Sequence, residues 1–196
     1  MSFPNQLSLL RLILAPVFLF LFISESRSGR QIALVIFVIA IFTDWYDGMH
    51  ARKYGQISKT GIFLDPLADK FLTSAAFVAF YFMGIMPLWM VAVIVVRDIV
   101  MTLLRSYEEL KGRTLKTSFA AKTKTFVQMA YIFAIVILVS VKTFTDDKSI
   151  SEAIDNFFHS QLNYFLALTV TLFTLLTGLS YFVDLIKSPK KILENN

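Results

Sequence analysis

The sequence predicts an all-α integral membrane protein, a six-transmembrane-helix bundle forming a single membrane domain over residues 1–196. Three observations predict it. Hydrophobic residues make up 56% of the chain and its mean hydropathy is +0.65, more apolar than soluble domains. Several windows exceed about 18 residues with few charges, long enough to cross a hydrocarbon core. Lys and Arg are shared unevenly between the two sides that such spans would create.

The first span is read over 7–24. Its apolar run from Leu7 to Ile23 is too long for a usual signal-peptide core, and the small-residue cleavage pattern is missing, so it is expected to remain as a helix. The polar stretch "SESRSGR" separates it from the second span, 31–51, which closes on Asp44 and Asp47. The third span, 62–84, opens on Asp65 and Asp69, and "GIMP" separates it from the fourth, 88–110. A basic stretch leads to the fifth, 119–142. "DDKSISEAIDN" is expected as a short surface helix before the sixth, 161–186, and the tail after Ser188 reads as a solvated end.

With both termini in the cytoplasm, the inside holds fourteen cations: Arg11, Arg52, Lys53, Lys59, Lys70, Arg105, Lys111, Arg113, Lys116, Lys122, Lys124, Lys187, Lys190 and Lys191. The outside holds four, Arg27, Arg30, Lys142 and Lys148, while Arg97 falls within a span. This asymmetry turns the aspartate-rich stretch toward the cytoplasm, and the small size of the chain points to a prokaryotic inner membrane. The absence of cysteine excludes a disulfide framework, Cys-ligated zinc and thiol nucleophiles. The net charge of +5 suits an anionic membrane surface or anionic substrates, and topogenic charge accounts for most of it. No inverted repeat supports a transporter.

The chemistry concentrates in "DWYDGMHARKYGQISKTGIFLDPLADK", Asp44 to Lys70. A spacing of three puts Asp44 and Asp47 on one helical face, and a spacing of four does the same for Asp65 and Asp69. Consecutive spans meet at one membrane surface, so the four carboxylates can converge. Unpaired they would repel and take up protons. Pairing with Arg52, Lys53 and Lys70 is the plain explanation for any one of them; four at matched spacing on adjacent spans point instead to divalent cations. An all-oxygen donor set suits Mg²⁺ or Mn²⁺, and two such ions are a common arrangement for phosphoryl transfer. Gly48 and Ala51 continue the Asp44/Asp47 face and leave room for a flat group, Arg52 can pair bidentately with a phosphate, and Gly61 permits close approach.

The pattern D-x-x-D-G-x-x-A-R-x8-G-x3-D-x3-D, here Asp44, Asp47, Gly48, Ala51, Arg52, Gly61, Asp65 and Asp69, resembles the signature of the CDP-alcohol phosphotransferase family at every fixed position. The resemblance implies a core of six membrane helices with this motif on the second and third, and a homodimer. It implies a CDP-linked donor, usually CDP-diacylglycerol, whose phosphorus is attacked by an alcohol with loss of CMP. It assigns Asp44, Asp47 and Asp65 to metal, and Asp69 both to metal and to the general base. It makes Gly48, Ala51, Arg52 and Gly61 contacts of the CDP-lipid.

The fourth span carries Arg97 and, eight residues on, Arg105, which point to the same side. Arg97 can pair with Asp98 beside it or reach a substrate phosphate, and Lys122 and Lys124 can serve a phosphate or the topology. The stretch "RDIVMTLLRSYEELKG", followed by Lys122-Thr123-Lys124-Thr125 and Gln128, resembles the matching region of phosphatidylglycerophosphate synthases, and Asn5 and Arg11 resemble their "PN…R" opening. That implies sn-glycerol 3-phosphate as acceptor, with Arg97, Arg105, Lys122 and Lys124 on its phosphate and Asn5 on the CDP-lipid. The sequence departs from those synthases in carrying Asp98 for Glu and Ala121 for Gly. Arg-Asp also occurs in cardiolipin synthases, whose acceptor is phosphatidylglycerol, and a phosphatidylinositol phosphate synthase would also need a basic pocket. A cation channel or carrier would use the aspartates but leaves Gly48, Ala51, Arg52 and Gly61 unexplained.

Overall fold

The computed structural model of the chain describes residues 3–54, 59–110 and 119–193, with side chains described over 6–43, 66–108, 110 and 123–179. Among the described residues every regular element is a helix: α1 (Phe3–Ile23), α2 (Arg27–Tyr54), α3 (Lys59–Phe82), α4 (Leu88–Leu110), α5 (Phe119–Phe144), α6 (Lys148–Phe158) and α7 (Gln161–Leu193). The six expected spans correspond to α1–α5 and α7, and the expected surface helix to α6. Windows of α1 (Gln6–Ile23), α5 (Thr123–Phe144) and α7 (Gln161–Leu179) are long and apolar enough to cross a membrane. At 28, 24 and 23 residues, α2, α3 and α4 have the length as well.

Local chemistry sets the boundaries. Gly84 adopts φ +71°, the left-handed conformation that suits glycine, and closes α3 with Ile85 N donating to Phe80 O at 2.9 Å. Asp147 caps α6, its carboxylate accepting from Ser149 N at 2.8 Å.

The connections on one end of the bundle are tied together. Arg27, opening α2, pairs with Asp146 at 2.8 Å and donates to Phe144 O at 3.1 Å. Lys142 of α5 pairs with Asp155 of α6. Asn163, fully buried on α7, donates to Ile85 O at 2.9 Å and Phe158 O at 2.8 Å and accepts from Tyr131 Oη at 3.0 Å. The connections 24–26, 83–87 and 145–147 therefore share that end with α6, and the last turns of α2 and α4 and the first turns of α3 and α5 lie toward the opposite one.

α1 packs against both α2 and α3, and α4, α5 and α7 complete the bundle. Phe18 and Phe22 of α1, Phe37 of α2, Phe77 and Phe80 of α3 and Tyr131 of α5 fill the core, with the Phe77 and Tyr131 rings stacked at 6.4 Å. Buried Ala15, Ala33, Ala40, Ala76 and Ala79 let helix backbones approach. Outward-facing Phe20, Phe42, Val96, Phe126, Leu176 and Leu179 are exposed, as a lipid-facing surface requires.

Candidate active site

The motif aspartates fall on the two helices joined at the end opposite Asn163. Asp47 lies seven residues before Tyr54, the last residue of α2, and Asp65 lies six residues after Lys59, the first of α3. At 1.5 Å per residue these are about 10 Å and about 9 Å along their helices from the same connection. Asp44 and Asp69 stand further along, each ten residues from its helix end or about 15 Å. The spacing thus sets the four aspartates in two matched tiers. The side chains of Asp44, Asp47, Gly48, Ala51, Arg52, Gly61 and Asp65 lie outside the described residues, as do those of Asn5 and Lys122. Among the described residues no group of three or more His, Cys, Asp or Glu converges.

Asp69 is described. Its side chain is 43% exposed, with the Lys70 ammonium 3.5 Å from Oδ2. Beneath it, Thr73 Oγ1 donates to the Asp69 and Lys70 carbonyl oxygens at 3.3 and 3.2 Å, and Ala68 and Leu72 are buried. Pro66, one residue after Asp65, has no N–H to donate to the carbonyl of Ile62, so the helical turn that leads into Asp65 is short of one bond. The all-carboxylate donor set and the half-exposed Asp69 fit a hard divalent cation.

A second polar group lies among α4, α5 and α7. Asp98 is 2% exposed and accepts three donors: Arg97 Nη1 at 2.9 Å, Lys124 Nζ at 2.5 Å and Gln128 Nε2 at 3.0 Å. Arg97 Nη2 reaches Thr177 Oγ1 of α7 at 3.0 Å. The Arg97 side chain lies along α7 at Gly178, where a Cβ would stand 3.1 Å from Nε. Lys70 is close enough to act electrostatically on both Asp98 and Lys124. Arg105 lies two turns further along α4, half-buried. Of the expected acceptor-site cations, the structure brings Arg97 and Lys124 together.

A family model described as CDP-alcohol phosphatidyltransferase matches residues 1–176. The chain belongs to this family. Among similar proteins of the CDP-alcohol phosphatidyltransferase type, the CDP-diacylglycerol–glycerol-3-phosphate 3-phosphatidyltransferase of Bacillus subtilis is 33% identical over 148 residues, 69% of this chain and 77% of the relative. A probable phosphatidylglycerophosphate synthase of Mycobacterium tuberculosis is 37% identical over 142 residues, 71% of this chain and 68% of the relative. The CDP-diacylglycerol–glycerol-3-phosphate 3-phosphatidyltransferase of Wigglesworthia glossinidia brevipalpis is 33% identical over 139 residues, 69% of this chain and 76% of the relative.

Sequence reasoning treated Lys70 as a surface counter-charge and passed over Thr177 and Gly178. The adjacency of Lys70 to Asp69 was a signal for the first. A Thr-Gly pair in an apolar helix carries none.

Proposed function

We propose that this CDP-alcohol phosphatidyltransferase moves the phosphatidyl group of CDP-diacylglycerol to sn-glycerol 3-phosphate, giving phosphatidylglycerol phosphate and CMP. The observation that carries the reading is the complete eight-position motif on α2 and α3 in a chain whose relatives at 33% and 37% identity bear that activity in their names. The buried pairing of Arg97 and Lys124 beside the motif helices supports an acceptor that carries a phosphate.

In this reading α1–α5 and α7 are six spans, α6 lies on the outer surface, and the motif end faces the cytoplasm of a prokaryotic inner membrane. The fourteen-to-four split of cations supports that orientation. The enzyme works as a homodimer with one site per protomer. Asp44, Asp47, Asp65 and Asp69 hold divalent ions, Mg²⁺ or Mn²⁺. When bound, such ions neutralise the diphosphate and stabilise the departing CMP. Asn5, Gly48, Ala51, Arg52 and Gly61 receive the CDP-lipid, the small residues admitting the nucleotide to the backbone and Arg52 pairing with a phosphate. Arg97, Arg105, Lys122 and Lys124 bind the acceptor's phosphate. Asp69 takes the proton from the acceptor hydroxyl as its oxygen bonds to the phosphorus that carries diacylglycerol, and the bond from that phosphorus to CMP breaks.

The test is CMP release by purified protein with CDP-diacylglycerol and Mg²⁺, offered sn-glycerol 3-phosphate in one reaction and phosphatidylglycerol in another. Release only with glycerol 3-phosphate is expected. Release only with phosphatidylglycerol makes the protein a cardiolipin synthase, and silence in both sends the search to inositol phosphate and other alcohols.

A further inference from the structure

The Asp98 group is built differently from a structural staple. One buried carboxylate needs one cation, and here it holds two and an amide. Arg97, Asp98 and Lys124 together carry one excess positive charge, with the Lys124 side chain 4% exposed. A buried excess charge is unfavourable unless an anion completes it. The donors are not used up. A guanidinium has five hydrogens and an ammonium three, and Asp98 takes one from each. Among the described residues Arg97 Nε is buried without a hydrogen-bond partner, and the Arg97 side chain keeps 19% of its surface exposed. Lys70, whose ammonium stands 3.5 Å from the Asp69 carboxylate, also lies within electrostatic reach of Asp98 and Lys124.

We propose that Asp98 is a positioning residue of the acceptor site, its carboxylate presetting Arg97, Lys124 and Gln128 as a clamp for the acceptor's phosphate; this rests on the glycerol 3-phosphate reading above. Asp98 does not touch substrate. It fixes the two cations against α7 and α5 before the acceptor arrives, so the phosphate meets donors already ordered and dry, and the site does not spend binding free energy on arranging them. Gly178 belongs to the same device, because a Cβ there would stand 3.1 Å from Arg97 Nε and push the side chain off α7 by a few tenths of an ångström.

The experiment measures KM and kcat for both substrates in wild type, Asp98→Asn, Asp98→Glu and Gly178→Ala. Asp98→Asn keeps the shape and removes the charge that anchors Lys124. It is expected to raise KM for sn-glycerol 3-phosphate about tenfold or more, the scale of one charge-assisted contact, with KM for CDP-diacylglycerol within about twofold of wild type. Asp98→Glu restores the charge and recovers most of the loss. Gly178→Ala retains Asp98 and favours the helix by propensity, so it covers the case in which Asp98→Asn does not fold. It displaces Arg97 by a few tenths of an ångström and raises acceptor KM a few-fold. If the folded variants lose thermal stability or kcat while acceptor KM stays at the wild-type value, Asp98 is a staple and the proposal is wrong. If wild type itself shows no response to glycerol 3-phosphate but releases CMP with phosphatidylglycerol, the acceptor reading fails first and takes the clamp with it.

Discussion

Replacing Asp69 by Asn separates chemistry from folding, because the structure makes the two consequences unequal. The substitution keeps size and removes the carboxylate that would accept the hydroxyl proton. In the fold, that carboxylate meets Lys70 at 3.5 Å with 43% of its side chain exposed. A half-exposed pair at that distance is worth less than about 1 kcal/mol. The two bonds from Thr73 go to backbone oxygens and survive the change. For a chain of this size, 1 kcal/mol moves Tm by about 2–4 °C. Loss of a positioned general base lowers the rate by about 10²–10⁴, or about 3–5 kcal/mol of barrier. Turnover should therefore collapse while Tm stays within about 4 °C of wild type. The assay is steady-state CMP release at saturating CDP-diacylglycerol and glycerol 3-phosphate, beside thermal unfolding in detergent and a binding titration of CDP-diacylglycerol with Mg²⁺. Donor binding should persist. A variant that keeps more than about a tenth of wild-type kcat has not lost its base, and the assignment of Asp69 would be refuted.

Asp47→Ala should abolish metal-dependent donor binding, followed by calorimetric titration of CDP-diacylglycerol with and without Mg²⁺; unchanged metal affinity would reject Asp47 as a ligand. Arg105→Ala should raise KM for glycerol 3-phosphate more than KM for CDP-diacylglycerol, and the reverse order would move Arg105 to the donor side. Asn163→Ala removes three buried hydrogen bonds that join the α3–α4 connection, α5, α6 and α7, and should lower stability by about 3–5 kcal/mol with little effect on the kcat of folded enzyme. A Tm within a degree of wild type would mean those bonds are replaced by water.

The helices were largely legible because their signals are local. The run from Leu7 to Ile23 became α1, the "GIMP" break became a turn around Gly84, and "DDKSISEAIDN" became α6 behind an Asp cap. The motif was legible for the same reason, since helical spacing alone aligns Asp44 with Asp47 and Asp65 with Asp69. The Asp98 group was not, because its partners are 26, 30 and 80 residues apart in sequence. The sequence offered Arg97 either a neighbouring carboxylate or a substrate. Only tertiary packing brings Lys124, Gln128 and Thr177 to the same place, and nothing local marks Gly178 as the surface on which Arg97 lies. Hydropathy set the spans by length: among the described residues, windows of α1, α5 and α7 are long and apolar enough to cross a membrane, while α3, α4 and α5 each carry charges partway along, at Lys70, Arg97 and Lys124.

Those charges obey a rule across the bundle. On α3, Asp69 and Lys70 precede a half that buries Phe77 and Phe80; on α5, Lys124 and Gln128 precede Tyr131, Ile135 and Val139; on α4, which runs the other way, Met90 and Ile94 precede Arg97 and Asp98. Each helix changes from polar to apolar in its middle, and the polar halves all lie toward the end where α2 meets α3. Membrane insertion alone gives no reason for this, because buried charge within a span opposes insertion. A reaction between a lipid anchored by its acyl chains and a water-soluble phosphate does give one. In the proposed reaction the donor's diphosphate would reach the site from the interface and the acceptor from water, so the ions, base and phosphate clamp proposed above would share the half of the bundle that both can enter. The apolar half, locked by Asn163, then serves as the fixed frame against which the polar side chains keep their positions.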